Sequence, residues 1–185
     1  MNMLRKYNFL LFCLIINYVT SFNYISMNLN KLDILKPKYV TKQWKIDIDT
    51  NPKDTYYDWL NIVWYDDFHF NSMINSKIIT IGDIYGTNSM RSLNFFNTVN
   101  QVITNTSYPS KILYKEYVAP NFNSNKGEIK FINNNNKTEL IWNLNYTCLL
   151  HTENFIYKMY DSAISTSLKK VKTYSERKKY QNELK

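Results

Sequence analysis

A strictly alternating segment near the C-terminus constrains the fold more than any other part of the sequence. In "NKTELIWNLNY", residues 136–146, the side chains of Leu140, Trp142, Leu144 and Tyr146 fall on one side. Successive side chains of a strand point to opposite faces, so the segment predicts a strand with one covered face. The run of four asparagines that leads into it predicts a tight connection from a preceding strand. On this covered face, Trp142 either packs against other side chains in the core or lines a cavity.

Further short strands precede this segment. Residues 44–49 alternate apolar and polar side chains and predict a first strand. Later, "SKIITIG", "SMRSLNFF", "TVNQVITNT", "KILYKEYV" and "EIKFI" follow one another with turn residues between them, and the second and third predict a hairpin about Asn97. Strands in series with short turns are typical of a meander of antiparallel pairs.

Two parts of the sequence show helical spacing. Residues 52–73 are predicted to form one or two short helices, with Thr50 or Asn51 as the cap and Pro52 near the first position. Their apolar face recurs at three- and four-residue spacing and comprises Tyr56, Trp59, Leu60, Val63 and Trp64.

The second helical segment begins after Thr152 and has no Gly or Pro for more than twenty residues. Thr152 is predicted to cap it, and Glu153 suits the positive end of the helix dipole. Its apolar stripe comprises Phe155 or Ile156, Met159, Ala163, Leu168 and Val171.

The order of elements is therefore a strand, short helices, a run of strands and a long helix. It predicts an α+β helix-grip fold, in which a curved antiparallel sheet of six to seven strands wraps around a long C-terminal α-helix. An antiparallel sheet of this kind has one wet face and one covered face. The gap between a curved sheet and one helix is hard to fill with side chains alone, so a cavity is expected there.

Four local patterns resemble one protein group over residues 42–173. They are "DTNPKDTYYDWLNIVWYDDF", "IGDIYGTNSMRSL", "ITNTSYPSKILYKEY" and "GEIKFINNNNKTELIWNLNY". Together they resemble the Bet v 1-like, START-related superfamily (SRPBCC), in particular its polyketide cyclase/dehydrase and lipid transport branch. The resemblance implies a helix-grip fold that binds a hydrophobic ligand. It implies no catalytic signature, since the superfamily includes carriers, enzymes and regulators.

The predicted cavity wall is formed by side chains on one face of each strand and on one face of the long helix. Arg91 matches the Arg of the family's early strand and has the chemistry to bond a ligand carboxylate or phosphate. Glu116, if it faces inward, needs a partner or a proton. A solvated outer face is the alternative for both. The predicted ligand-binding residues are Met90, Arg91, Gln101, Ile112, Tyr114, Glu116, Phe131, Trp142, Leu144, Met159 and Ala163. Ordinary core packing predicts much the same set.

Catalytic and metal chemistry find little support in the sequence. His69 follows an acidic pair and lacks a visible nucleophile or orienting partner, and His151 lies before the last helix. Cys148 has no basic neighbour other than His151 to lower its pKa. We therefore predict no metal site, no cofactor and no catalytic residue. A cyclase/dehydrase-like enzyme that uses Glu116 with Tyr114 or His69 remains the alternative, as does an interaction domain with a filled core.

The N-terminus predicts targeting. Arg5 and Lys6 precede an apolar run of about eleven residues, which is short for a membrane span of about twenty. Residues 1–21 are interpreted as a signal peptide, with an uncleaved membrane anchor as the alternative. Residues 22–41 are interpreted as a linker or a second targeting segment. The predicted location is the secretory pathway, by secretion or in an organelle reached through it, such as a complex plastid.

The chain is basic, with a formal net charge of +8. Residues 174–185 are predicted to form a basic C-terminal tail, which suits an anionic membrane surface. Nucleic acid is a disfavoured partner because no base-stacking motif is recognisable. The predicted function is to bind or carry a lipid or other hydrophobic small molecule.

Overall fold

The computed structural model describes residues 37–66, 69–71, 74–95, 97–118 and 125–184. The strands are β1 Pro37–Ile48, β2 His69–Asn71, β3 Ile74–Thr80, β4 Met90–Phe95, β5 Asn97–Ser107, β6 Lys111–Val118, β7 Asn125–Asn134 and β8 Lys137–Leu149. The helices are α1 Pro52–Trp59, continued by a π-helical turn Leu60–Trp64, and α2 Glu153–Glu183, preceded by a 3₁₀ turn Leu150–Thr152. Residues 1–36, with the predicted signal peptide, lie outside the described part.

All eight strands form one antiparallel sheet in the order β1-β8-β7-β6-β5-β4-β3-β2. The first and last strands of the chain are neighbours, and the rest form a meander. Helix α2 contacts β1 and β8, so the sheet grips it as predicted. The α+β helix-grip prediction is confirmed, with the three-residue β2 as an additional strand. The predicted linker, residues 22–41, extends too far toward the C-terminus. Residues 37–41 belong to β1, which pairs with β8 from Pro37 onward.

The predicted alternation of β8 is confirmed along its whole length. Every second side chain is buried, and these residues are Thr138, Leu140, Trp142, Leu144, Tyr146 and Cys148. Asn135 and Asn136 make the turn before it with φ of 52° and 64°. A type I′ hairpin turn requires positive φ at both central residues, and asparagine tolerates it better than most residues. The asparagine run therefore sets the register of β7 and β8.

Helix α1 begins as the sequence predicts and ends earlier. The side chain of Asn51 accepts a hydrogen bond from the backbone of Asp54 at 3.0 Å, and Pro52 is at the start of the helix. The prediction of helix up to residue 73 is wrong, since the helical turns end at Trp64 and residues 69–71 form β2. The apolar spacing also ends at Trp64, so no buried face supports a further turn.

The two halves of α2 pack differently. From Glu153 to Ala163 no residue is fully buried. In the second half of the helix five residues are buried, and these are Ile164, Ser167, Leu168, Val171 and Ser175. Thr152 does not cap the helix as predicted, because its hydroxyl donates to the carbonyl of Leu149 at 2.9 Å. The first half of α2 is therefore the more weakly packed part of the helix.

The C-terminal half of α2 is locked by polar contacts, and residues predicted to be a free basic tail belong to it. The buried carboxylate of Asp58 accepts hydrogen bonds from Ser175 Oγ and Lys178 Nζ, both at 2.8 Å. Lys179 pairs with Asp49 at 3.3 Å. The tail prediction is corrected in this respect: residues 174–183 are helix, and part of their positive charge serves to hold the helix. No helix in the described part of the chain is long and apolar enough to cross a bilayer.

Candidate functional site

A row of polar side chains crosses the covered face of the sheet. Arg91 of β4 is paired with Gln101 of β5, Gln101 with Glu116 of β6, and Glu116 with Asn125 of β7. Directly paired residues share one face, so register alone brings the four side chains together. All four are at least 92% buried, with Arg91 only 1% and Glu116 only 3% exposed. The inward orientation proposed for Arg91 and Glu116 is therefore observed.

An amide connects the two buried charges. Arg91 Nε donates to Gln101 Oε1 at 2.6 Å, and Gln101 Nε2 donates to Glu116 Oε1. Arginine can only donate and an ionised carboxylate can only accept, so this is the one orientation of the amide that satisfies both neighbours. Gln101 thereby links a cation and an anion that do not touch each other.

Helix α2 joins this row through Tyr160. Its hydroxyl donates to Glu116 Oε2 at 2.9 Å, and Asn125 Nδ2 lies 3.1 Å from both the Tyr160 oxygen and Glu116 Oε2. The backbone N–H of Thr147 donates to Asn125 Oδ1 and fixes that amide. Glu116 therefore faces three side-chain donors, from Gln101, Asn125 and Tyr160, and both of its oxygens have hydrogen-bond partners.

Arg91 is held on its other side by the π-helical turn. Its Nη1 donates to the carbonyl of Val63, and its guanidinium lies 4.3 Å from the centre of the Trp64 ring. Burial lowers the pKa of Arg91 to about 10, against which Tyr114 and Glu116 favour the charged form. Arg91 therefore keeps its charge at neutral pH. Buried ion pairs are often no more stabilising than apolar residues of the same size, so stability alone does not explain this one.

Tyr114 lies beside the row and is fixed by its neighbours. Trp142 Nε1 donates to the Tyr114 oxygen at 2.9 Å, and the two rings meet edge to face. Trp64 also packs against Tyr114, with ring centres 5.8 Å apart. Gly127 lies under the ring, and a Cβ there would be 1.9 Å from Tyr114 Cζ. Glycine is thus required at 127 for Tyr114 to lie flat on the sheet.

A cavity of about 70 Å³ lies between this face of the sheet and the first half of α2. Among the described residues, its wall is apolar apart from Arg91, Gln101, Glu116, the two tyrosines and the indole N–H of Trp142. The residues that line it are Arg91, Leu93, Val99, Gln101, Tyr114, Glu116, Trp142, Met159, Tyr160, Ala163 and Ile164. Trp142 thus points at α2, with the cavity between it and the side chains of Met159 and Ala163.

The structure brings seven of the eleven predicted ligand-binding residues to this wall, and these are Arg91, Gln101, Tyr114, Glu116, Trp142, Met159 and Ala163. Ile112, Phe131 and Leu144 are buried but belong to the packed core away from the cavity. Met90 precedes Arg91 in β4, so its side chain is on the opposite face of the strand. Local alternation gave the face of each strand, but not how far along it the cavity extends.

Several residues of the site were not among the predicted ones. Asn125 belongs to the polar row and lies before the predicted strand "EIKFI", although it alternates with Gly127 and Ile129 and could have been read as the start of β7. Tyr160 and Ile164 were missed because the helical stripe was drawn through Met159 and Ala163. Shifted by one residue, the same spacing includes Ile156, Tyr160 and Ile164. Leu93 was not selected although it alternates with Arg91.

Among the other chemical candidates, neither Cys148 nor His151 lines the cavity. Cys148 is buried, and burial, followed by Glu153, raises its pKa, which suits an inert thiol. His151 is exposed in the 3₁₀ turn. Asp67 and Phe68 lie outside the described residues, and the side chain of His69 is not described. Among the described residues, no group of three or more His, Cys, Asp or Glu side chains is placed to hold a metal ion.

Tyr146 provides a first prediction, because its buried hydroxyl has no hydrogen-bond partner among the described residues. Burial raises the pKa of Tyr146 to about 12. Since the folded state keeps this proton longer than the unfolded chain, Tyr146 favours folding below pH ~10, and the contribution is lost as pH rises toward 12. Tyr146→Phe is expected to leave stability at pH 7 unchanged or raised by up to about 1 kcal/mol. It should also make stability fall less steeply above pH 10.

Urea unfolding of wild type and Tyr146→Phe at pH 7, 10 and 11 measures both effects. Tyr39→Phe is the control, because Tyr39 is 67% exposed on β1. A loss of more than 1 kcal/mol at pH 7 in Tyr146→Phe would show that the hydroxyl has a partner after all.

Comparison with known proteins identifies the fold and nothing finer. No family model and no curated protein matches the sequence. Among solved structures, a protein of Chromobacterium violaceum matches with a TM-score of 0.56 at 12% identity, over 74% of this chain and 97% of that one. Ara h 8.0201 matches with a TM-score of 0.53 at 7% identity, over 72% and 97%. A point mutant of norcoclaurine synthase from Thalictrum flavum, in complex with a transition-state analogue, matches at 0.56 and 7%, over 78% and 98%.

Proposed function

The chain has the helix-grip fold of the Bet v 1-like superfamily, and from this premise we propose that it binds a small hydrophobic molecule between the sheet and α2. The observation that carries the proposal is the cavity, whose apolar wall includes two buried charges. Buried charge pairs are often no more stabilising than apolar residues of the same size. Ligand pockets characteristically combine apolar walls with a few fixed polar groups. The branch of the superfamily predicted from the sequence stays a prediction.

The cavity is smaller than the few hundred cubic ångströms that ligand pockets usually enclose, at about 70 Å³. A ligand therefore has to displace part of the wall. The first half of α2 is the element suited to move, because none of its residues is fully buried. Its polar ties to the sheet include Lys38 with Glu153 and Trp44 Nε1 with Asp161 Oδ1 at 2.8 Å. Tyr160 adds its bonds to Glu116 and Asn125, which a movement of this half would have to stretch or break. The second half stays locked by Asp58.

Enclosure supplies the binding free energy in this proposal. Each methylene group moved from water into the cavity contributes about 0.8 kcal/mol. The polar row and Tyr114 orient the ligand, since their positions are fixed by hydrogen bonds within the wall.

An enzyme is the second candidate, and one observation favours it: Glu116 and Tyr160 form a hydrogen-bonded pair at 2.9 Å beside the cavity. Such a pair has the geometry for proton transfer. However, burial first, and then Glu116, hold the pKa of Tyr160 well above its usual value, so the phenol keeps its proton. We therefore propose that the pair positions the helix over the sheet and that binding does not require chemistry. An interaction domain with a filled core is disfavoured by the cavity.

Native mass spectrometry of the full chain tests the proposal. A hydrophobic adduct is expected to co-purify or to form with added lipid extract. Ala163→Phe is expected to abolish the adduct, because Ala163 lines the cavity and a phenyl ring fills it. Ser162→Phe is the matched control, since Ser162 is the next residue on α2 and is exposed.

The expected pattern is adduct in wild type and Ser162→Phe and none in Ala163→Phe. An unliganded mass for wild type with every extract, or equal adduct in both variants, would contradict binding at this site. Targeting to the secretory pathway and contact of the basic C-terminal residues with an anionic membrane stay predictions.

A further inference from the structure

Five polar side chains besides Trp142 line the cavity, and four of them bond to one another or to the adjoining backbone. Arg91, Gln101, Glu116 and Tyr160 form the polar row with Asn125. Tyr160 both donates to Glu116 and accepts from Asn125, so its hydroxyl has a partner for its proton and for its oxygen. Each of these groups therefore already has a hydrogen-bond partner within the protein.

Tyr114 differs from the row in one respect. Its oxygen accepts a hydrogen from Trp142 Nε1, and an indole N–H can only donate. The Tyr114 proton must therefore be directed elsewhere. The structure shows no acceptor for it among the described residues, although Tyr114 is only 2% exposed. A buried donor without an acceptor is unfavourable, so the site is set up to receive an acceptor from a guest.

The Tyr114 hydroxyl is fixed in place at the cavity. The ring lies flat against β7 at Gly127, and the rings of Trp64 and Trp142 pack against it. Burial raises the pKa of Tyr114 well above its usual value, so it stays a neutral donor across the physiological range. This is a fixed donor of the kind that selects for a carbonyl oxygen.

Charge balance excludes an anionic or cationic guest as the preferred one. Arg91 and Glu116 compensate each other through Gln101, and they are the two charged side chains among the described residues that line the cavity. A charged ligand would lose its hydration and would disturb this balance. The sequence suggested a carboxylate or phosphate contact for Arg91, whereas the balance between Arg91 and Glu116 favours a neutral ligand.

We propose that the ligand of this site is a neutral carbonyl compound with an apolar body, whose carbonyl oxygen accepts a hydrogen bond from Tyr114. The inference rests on the proposed function and narrows its ligand class. It involves no covalent step.

Three small probes of the same shape separate these properties when they are titrated into the full chain by isothermal calorimetry. Acetophenone carries the carbonyl, α-methylstyrene replaces its oxygen by a CH₂ group, and benzoate adds charge. One hydrogen bond that only the ketone can make is expected to give about tenfold tighter binding of acetophenone than of α-methylstyrene. Benzoate is expected to bind more weakly than acetophenone.

Tyr114→Phe is expected to remove the tenfold preference, so that acetophenone binds no more tightly than α-methylstyrene. The ¹³C resonance of carbonyl-labelled acetophenone bound to wild type should shift downfield, because the carbonyl accepts a hydrogen bond. This measurement needs wild-type protein alone, so it tests the inference even if Tyr114→Phe does not fold. Equal affinity for the two neutral probes, tighter binding of benzoate, or an unshifted carbonyl resonance would overturn the carbonyl inference and leave hydrophobic binding intact. Failure of both neutral probes to bind would overturn both proposals.

Discussion

Arg91→Met is expected to lower the free energy of unfolding by about 3–5 kcal/mol, which is the cost of leaving a buried charge without its partner. Methionine has a similar length and packs well in irregular apolar space. The loss therefore comes from Glu116, which stays 3% exposed and loses the cation linked to it through Gln101. The carbonyl of Val63 and the side-chain oxygen of Gln101 also lose their donor.

The double variant Arg91→Met/Glu116→Gln distinguishes charge from packing. With both charges removed, the Gln101 amide is free to turn over and accept from the new amide at position 116. Stability is then expected to recover to within about 1–2 kcal/mol of wild type, because neutral replacements of buried ion pairs are often well tolerated. Urea unfolding at pH 7 measures both variants. A loss below 1 kcal/mol for Arg91→Met, or no recovery in the double variant, would contradict the linkage through Gln101.

The same double variant bears on function. If it folds stably and no longer gives the adduct in native mass spectrometry, the polar row serves the ligand rather than the fold. Stability and binding would then be separated in one protein.

Gly127→Ala is the second change with a large expected effect. Its Cβ would lie 1.9 Å from Cζ and 2.0 Å from Cε1 of Tyr114, far inside contact distance. The Tyr114 ring cannot move aside, because the rings of Trp64 and Trp142 pack against it. We expect a loss of about 3 kcal/mol from overpacking together with the broken Trp142–Tyr114 hydrogen bond. The preference for a carbonyl ligand should be lost as well.

Introducing Gly127→Ala into a Tyr114→Leu background provides the control. Leucine has no ring over Gly127, so the second substitution is expected to cost less than 1 kcal/mol there. Chemical unfolding followed by tryptophan fluorescence measures the four proteins of this double-mutant cycle. Additive losses would show that Gly127 is required for a reason other than the Tyr114 ring.

The two predictions concern residues that the sequence revealed to different degrees. Alternation in "KILYKEYV" placed Tyr114 and Glu116 on one face, and the long β8 placed Trp142 on its covered side. Gly127 received no role, since the ring that excludes a side chain at 127 belongs to another strand, and the two meet only through the pairing of β6 with β7. The seven predicted residues on the wall and the three in the packed core could not be told apart for the same reason.

Helix boundaries show a related difference. The start of α1 was predicted correctly because Asn51 and Pro52 act on the backbone next to them. The end of α2 was placed too early, because Lys178 and Lys179 read as a solvated tail. Their acidic partners, Asp58 and Asp49, lie more than a hundred residues earlier in the chain.

By itself the sequence determined the order of elements, the covered face of each strand and the helix-grip class, because alternation and helical spacing are local properties of a few consecutive residues. Only the tertiary structure decided the alignment of Arg91, Gln101, Glu116 and Asn125 into one row, since that depends on the register of four strands. It also decided that Trp142 faces a space of about 70 Å³ rather than a packed helix. That space is what remains after side chains from distant parts of the chain have packed, and no local pattern encodes it.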